Sequence, residues 1–192
     1  MARGRFRPKA DNARQTESSY QIWRIIEVSL QYLHKLCSYK QWANAKMYEA
    51  LVVLPDEIII TERKIVFGSI LATLHHTYLM DTVWKSHIKG IQHNITTRNP
   101  KKSPPLGDLF KDQAEIDAWF ISYAESLNED LLDEVVSFEF IGGGRGSMTR
   151  QDIVLHIVNH TTYHRGHIAG MLYESGATPP TTDMPVFLRD CG

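Results

Sequence analysis

Cysteine is scarce in this chain of 192 residues: only Cys37 and Cys191 are present. Two thiols so far apart exclude a disulfide framework. Long apolar runs are missing as well. No stretch approaches the roughly 18 residues of a membrane span, and no apolar leader segment follows Met1. A soluble, cytoplasmic protein without a membrane partner is expected. Charge of one sign is also lacking, since 21 Lys and Arg oppose 22 Asp and Glu for a net charge of -1. Long-range attraction to nucleic acid or anionic lipid is therefore not expected. The local exception is "MARGRFRPK", with Arg3, Arg5, Arg7 and Lys9 ahead of any patterned segment. It reads as the start of a basic, flexible extension over residues 1–27 rather than as a nucleic-acid arm. The glycines of "IGGGRG" lack phosphate-loop spacing and a GK[ST] ending, which excludes a nucleotide loop there.

A hydrophobic content of 43% over this length suits one domain with a real core, placed at residues 28–192. Between Ser29 and Val53, Tyr32, Leu33, Leu36, Cys37, Ala43, Met47, Tyr48 and Leu51 fall on one side of a helix. "LPDE" stops it. A second helix is predicted from about Arg63 to Lys89, and the prolines at 100, 104 and 105 mark a long irregular connection after it. Ile116, Phe120, Tyr123, Ala124 and Leu127 repeat as a third helix ending near Asn128. Val136, Phe138 and Phe140 then alternate with polar residues before the Gly-rich turn, as a small hairpin does. Thr149 followed by Asp152 has the form of a capping box and opens a fourth helix that runs to about Ser175. The fold class expected is all-α: a four-helix bundle with a small β-hairpin before the last helix.

Histidine is what the chain has in excess. Four of its nine histidines lie in "LHIVNHTTYHRGHIAGML". At about 100° per residue, His156, His160, His164 and His167 fall on one strip roughly 80° wide, so they share a helix face. His156 and His167 are about 16 Å apart along the axis, too far for one ion, and only neighbours at i, i+3 or i, i+4 can chelate together. A hydrogen-bonded histidine ladder has the same spacing. The strip borders the apolar arc of its helix, as ligands at the rim of a core would. A third ligand must come from elsewhere, and "LATLHHTYLMDTVW" on the second helix offers His75 and His76. His76 sits nearer the apolar arc, whereas His75 projects to its outer side. Two imidazoles from one helix and one from another leave an ion an open position, which is the catalytic pattern.

Three segments, "GSILATLHHTYLMDTVW", "VNHTTYHRGHIAGML" and "YKQWANAKMYEAL", together with the ending "PPTTDMPVFLRD", resemble the DinB/YfiT-like family of metal-binding proteins. The likeness covers roughly residues 30–190. It implies a four-helix bundle, a homodimer, and one divalent metal ion per chain, zinc or nickel, held by His76, His160 and His164. It also implies a low-molecular-weight-thiol S-transferase or a thiol-dependent isomerase or hydrolase, with a small-molecule thiol and an electrophile as partners. His167 departs from the resembled pattern, which tends to have Gln there. The alternative reading is a metal-containing stress-response or binding module without turnover. His156, Tyr163 and His167 are candidates for moving protons, with no carboxylate placed beside them in a Ser/His/Asp or HExxH manner.

Two further expectations come from residues in unusual places. Trp42 lies away from the apolar stripe of the first helix and would mark a partner surface. Asp81 and Arg165 both point into apolar arcs, and burial of unpaired charge is costly. They would form a buried ion pair if the second and fourth helices run parallel, but not if they run antiparallel.

Overall fold

The computed structural model describes residues 11–192, and their side chains from residue 30 onward. Arg3, Arg5, Arg7 and Lys9 of the expected basic extension lie outside the described residues. The element order is α1 (Asp11–Leu51), α2 (Asp56–Ile60), α3 (Ile70–Lys89), α4 (Leu106–Ser126), α5 (Glu129–Leu132), β1 (Val135–Glu139), β2 (Arg145–Thr149), α6 (Arg150–Glu174) and α7 (Met184–Cys191). The four long helices form the expected bundle. α1 and α3 each pack on both α4 and α6, so α1 faces α3 across the centre.

Each long helix forms where apolar spacing and end signals agree. In α1, Leu33, Cys37, Ala43, Met47, Tyr48 and Leu51 supply the buried stripe. α3 starts at Ile70, later than the sequence predicts, because the Ser69 side chain accepts a hydrogen bond from the Ala72 amide at 3.1 Å. Just before it, Gly68 takes a left-handed φ of 80°. Residues 61–69 thereby become a turn that carries Phe67. α4 starts at Leu106, directly after Pro105 and ten residues before Ile116, where the apolar repeat begins. Its buried stripe includes Gln113 and Asp117, which break the apolar pattern. Thr149 caps α6 as predicted, accepting from the Asp152 amide at 3.2 Å.

β1 and β2 pair antiparallel, with Phe138 opposite Gly146. Gly142, Gly143 and Gly144 turn the chain between them at φ 96°, 102° and 93°. α7 was not foreseen. Its Phe187 packs on Trp42 at 5.6 Å and on Tyr39 at 5.8 Å between ring centroids. Trp42 is covered by the chain's own C-terminal helix, which corrects its reading as a partner surface.

The interior has two apolar regions. One gathers Leu33, Cys37, Phe120, Ile153 and Ile157, the other Met47, Leu51, Leu74, Leu109, Ile168 and Leu172. Along the helices, a polar layer separates them. There Lys40 Nζ donates to Asp81 Oδ2 at 2.7 Å and also to Asp117 Oδ1. Gln113 donates to Asp81 at 2.9 Å and Asn44 donates to Asp117 at 2.8 Å. Arg165 donates to Asn44 Oδ1 at 3.1 Å, to the Tyr39 hydroxyl at 3.1 Å and to Thr162 Oγ1 at 2.9 Å. The expected Asp81–Arg165 pair is therefore corrected. α3 and α6 run antiparallel: Ile70 and Leu74 lie with Ile168 and Leu172, while Trp84, further along α3, meets His156, further back on α6. Asp81 consequently climbs away from Arg165 and takes Lys40 of α1 as its counter-charge.

Candidate metal centre

α3 contributes His76 and α6 contributes His160 and His164 one turn apart. The Nε2 of His160 lies 3.1 Å from the Nε2 of His76 and 3.1 Å from that of His164. One ligand nitrogen from each of the three comes within 4.8 Å of the other two, so the group could hold a metal ion. Three nitrogens about 2.0–2.1 Å from a tetrahedral ion would stand roughly 3.3 Å apart, close to the two contacts observed.

Hydrogen bonding orients the first ligand. His76 Nδ1 lies 2.7 Å from the carbonyl oxygen of Arg98, which can only accept. Nδ1 therefore carries the proton and Nε2 presents its lone pair. Proton arithmetic then favours a cation. His160 Nε2 either donates or accepts, and an imidazole nitrogen has one site for either purpose. It cannot satisfy both a lone pair on His76 and the nitrogen of His164 without leaving one contact between like groups. A divalent ion between the three removes that conflict, so the donor set fits one.

The electrostatics agree. Burial, followed by the neighbouring His164 and His76, pushes His160 down to about 3. Burial and His76 push His164 down to about 4. Burial also lowers His76. Near neutral pH all three are uncharged donors. The Phe67 ring stacks on His76 at 4.0 Å and 19°, and stands edge-on to His164 at 5.2 Å and 71°.

A cavity of about 470 Å³ opens beside His76 and His160. Met80 and Trp84 of α3, Phe138 of β1, Phe140, and His156 of α6 help to line it. The hairpin, expected from the sequence but without a role at the site, is thus one wall of it. The position of Phe138 depends on Gly146, where an added Cβ would come within 2.7 Å of the Phe138 ring.

The other sequence candidates separate. His156 lines the cavity, 5.6 Å from His160 between ring centroids. Tyr163 is 64% exposed and packs against His167 at 4.4 Å and His164 at 5.1 Å. The His167 ring centre is 5.4 Å from that of His164, and its nitrogens do not join the converging group. His75 is covered rather than outward, because its Nδ1 lies 3.2 Å from Ser103 Oγ of the irregular connection. The roles of Phe67 and the Arg98 carbonyl escaped sequence reading: Phe67 falls on the apolar side of the predicted second helix but sits in the turn before Ile70, and Arg98 lies in the irregular connection.

Comparison with known proteins gives a consistent result. The model of the DinB family matches residues 28–190. Protein DinB of Bacillus subtilis is 32% identical over 163 residues, covering 80% of this chain and 92% of that protein. A DinB-like protein from Bacillus cereus, known from a crystal structure, has a similar fold. Its TM-score is 0.60 at 19% identity, over 81% of this chain and 96% of that one. A family model spanning most of the chain and a curated relative aligned over nearly its whole length make this protein a member of the DinB family.

Proposed function

We propose that this protein is a metal-dependent enzyme that joins a low-molecular-weight thiol to an electrophile, with His76, His160 and His164 as ligands of one zinc or nickel ion. The observation that carries the reading is the convergence of three uncharged imidazole nitrogens beside a cavity large enough for a small molecule. A divalent ion held there supplies Lewis acidity, which lowers the pKa of a thiol or water at its open position.

The chain's own residues have separable tasks. The Arg98 carbonyl holds His76 in the tautomer that exposes Nε2. Burial keeps His160 and His164 free of protons. Phe67, Trp84 and Phe138 exclude water from the ligand side of the cavity. His156 is the best placed of the proton-carrying candidates, because it lines that cavity while Tyr163 is largely exposed.

The test combines elemental analysis of protein purified without an affinity tag with a thiol-conjugation assay on model electrophiles. One equivalent of zinc or nickel, and conjugation abolished by chelator and restored by metal, are expected. Stoichiometric metal without conjugation would favour the binding or stress-response module. Absence of metal would overturn the ligand assignment. Membership of the DinB family also supports a homodimer in the cytoplasm, and light scattering that shows only monomer at micromolar concentration would refute the dimer. Among the described residues no helix is long and apolar enough to cross a membrane.

A further inference from the structure

The walls of the cavity are aromatic in a specific arrangement. Trp84 meets Phe138 edge to face at 4.8 Å and 74°, and meets His156 at 4.8 Å and 63°. Phe140 stands against Phe138 at 5.1 Å and 87° and is 54% exposed at the rim. Ring faces and edges are thus both presented to the cavity. A saturated ligand would gain only area burial from such walls, whereas a flat π system gains edge-to-face and stacked contacts as well.

Charge at the mouth is the second observation. Arg98 and Glu139 both line the cavity. Glu139 is tied to Arg145 of the neighbouring strand at 3.2 Å. Among the described residues Arg98 forms no ion pair, so of the two charged residues lining the cavity it is the uncompensated one. Its carbonyl is already occupied by His76, which anchors its backbone next to the ligands.

We infer that the cavity selects a flat aromatic ligand bearing an anionic group, an aryl carboxylate in class, with its ring packed against the wall that Trp84, Phe138 and Phe140 form and its carboxylate toward Arg98. As a statement about the substrate this rests on the metal-dependent reading above, but the binding preference itself does not require the ion.

Calorimetric titration of the full chain, both metal-loaded and chelator-treated, tests it with three probes: naphthoate, the saturated decalin carboxylate, and naphthamide. In both forms naphthoate should bind best. The saturated acid should bind roughly five- to tenfold more weakly through loss of ring contacts, and the amide about three- to tenfold more weakly through loss of the charge-assisted contact. Phe140→Ala should erase most of the ring preference. Arg98→Gln should erase the preference of acid over amide and leave the ring preference intact. Both side chains are exposed, so neither variant should threaten the fold, and circular dichroism checks that. Equal affinity for naphthoate and its saturated counterpart, no binding of any probe at millimolar concentration, or an equal loss for acid and amide in Arg98→Gln would each overturn the inference. Ring and charge preferences that persist in a protein inactive in thiol conjugation would leave the inference standing and remove the enzymatic reading. Conjugation without those preferences would do the reverse.

Discussion

Two clusters of ionisable side chains draw on α3 and α6, and burial leads to opposite results for their basic members. In the central layer, burial opposes the charge of Lys40, but the carboxylates of Asp117 and Asp81 outweigh it and raise its pKa above the ordinary lysine value. Burial in turn raises Asp81, which Lys40 opposes. At the rim, burial lowers His160 to about 3, and the neighbours His164, His76, His156 and Lys40 all push the same way. The difference is the placement of carboxylates. Where they line the interior, a buried cation persists and ties α1, α3 and α4 together. Where they are kept out, the basic groups stay neutral and keep their lone pairs. One pair of helices therefore carries a charged fastening on one face and a donor set on the other.

The largest effect should come from removing the cation of the charged layer. Lys40→Met leaves the Asp81 and Asp117 carboxylates facing each other, with only the Gln113 and Asn44 amides beside them. Breaking a buried pair in this way costs roughly 3–5 kcal/mol, and urea unfolding measures it. The triple variant Lys40→Met, Asp81→Asn, Asp117→Asn should recover part of that loss. A Lys40→Met protein within about 1 kcal/mol of the parent would mean that the layer behaves like a surface ion pair and is no fastening.

Next in size is the loss of a donor. His160→Ala and His164→Ala should each lower divalent-ion affinity at least about a hundredfold, because two nitrogens remain and the ion loses a first-sphere bond. His75→Ala should retain stoichiometric metal, since its ring engages Ser103 instead. Elemental analysis after desalting distinguishes these outcomes. Full metal in both ligand variants would reduce the rim cluster to a histidine ladder.

The features that repeat were legible in the sequence. α6 and its Thr149 cap follow from period and end signals, and His160 and His164 stand out through their i, i+4 spacing. Asp81 and Arg165 read correctly as inward, because each sits inside an apolar arc. Their partners were not legible, since those depend on helix direction and on Lys40, a residue type that ordinarily marks a solvated face. Gln113 and Asp117 hid the first half of α4 for the same reason: polar residues committed to a buried layer interrupt the apolar period. Phe140 was legible in the hairpin's alternation but not as a cavity wall, and Phe67 and the Arg98 carbonyl approach the site from a turn and a connection, where spacing does not say what they face.

A pH titration sharpens the contrast with a smaller effect. The folded protein holds His76, His160 and His164 below the ordinary histidine value of about 6.5. As pH falls through that value the unfolded chain binds protons that the folded chain does not, so metal-free stability falls with it. The loss should begin near pH 6.5 and continue toward the folded values, about 4 for His164 and about 3 for His160. Urea midpoints measured between about pH 7.5 and pH 5 should decline, and the double variant His160→Ala, His164→Ala should flatten the decline. An unchanged slope in that variant would assign the acid sensitivity to other groups.

The smallest effect is expected at His167, the residue that departs from the resembled pattern. Its ring lies beside those of His164 and Tyr163, but its nitrogens stay outside the converging group, and His164 is the ligand it touches. His167 acts on the site only as a neighbour, the last of the influences that lower His164. Its Nδ1 is buried and finds no hydrogen-bond partner among the described residues, so an amide there would forfeit ring contacts but no hydrogen bond of that nitrogen. His167→Gln should keep one equivalent of metal, hold ion affinity within about threefold, and change stability by no more than about 0.5 kcal/mol, the range of substitutions away from tightly coupled features. Competition titration with a chromophoric chelator resolves a threefold change. A loss comparable to that of His164→Ala would make His167 a fourth ligand and close the position on which the proposed chemistry depends.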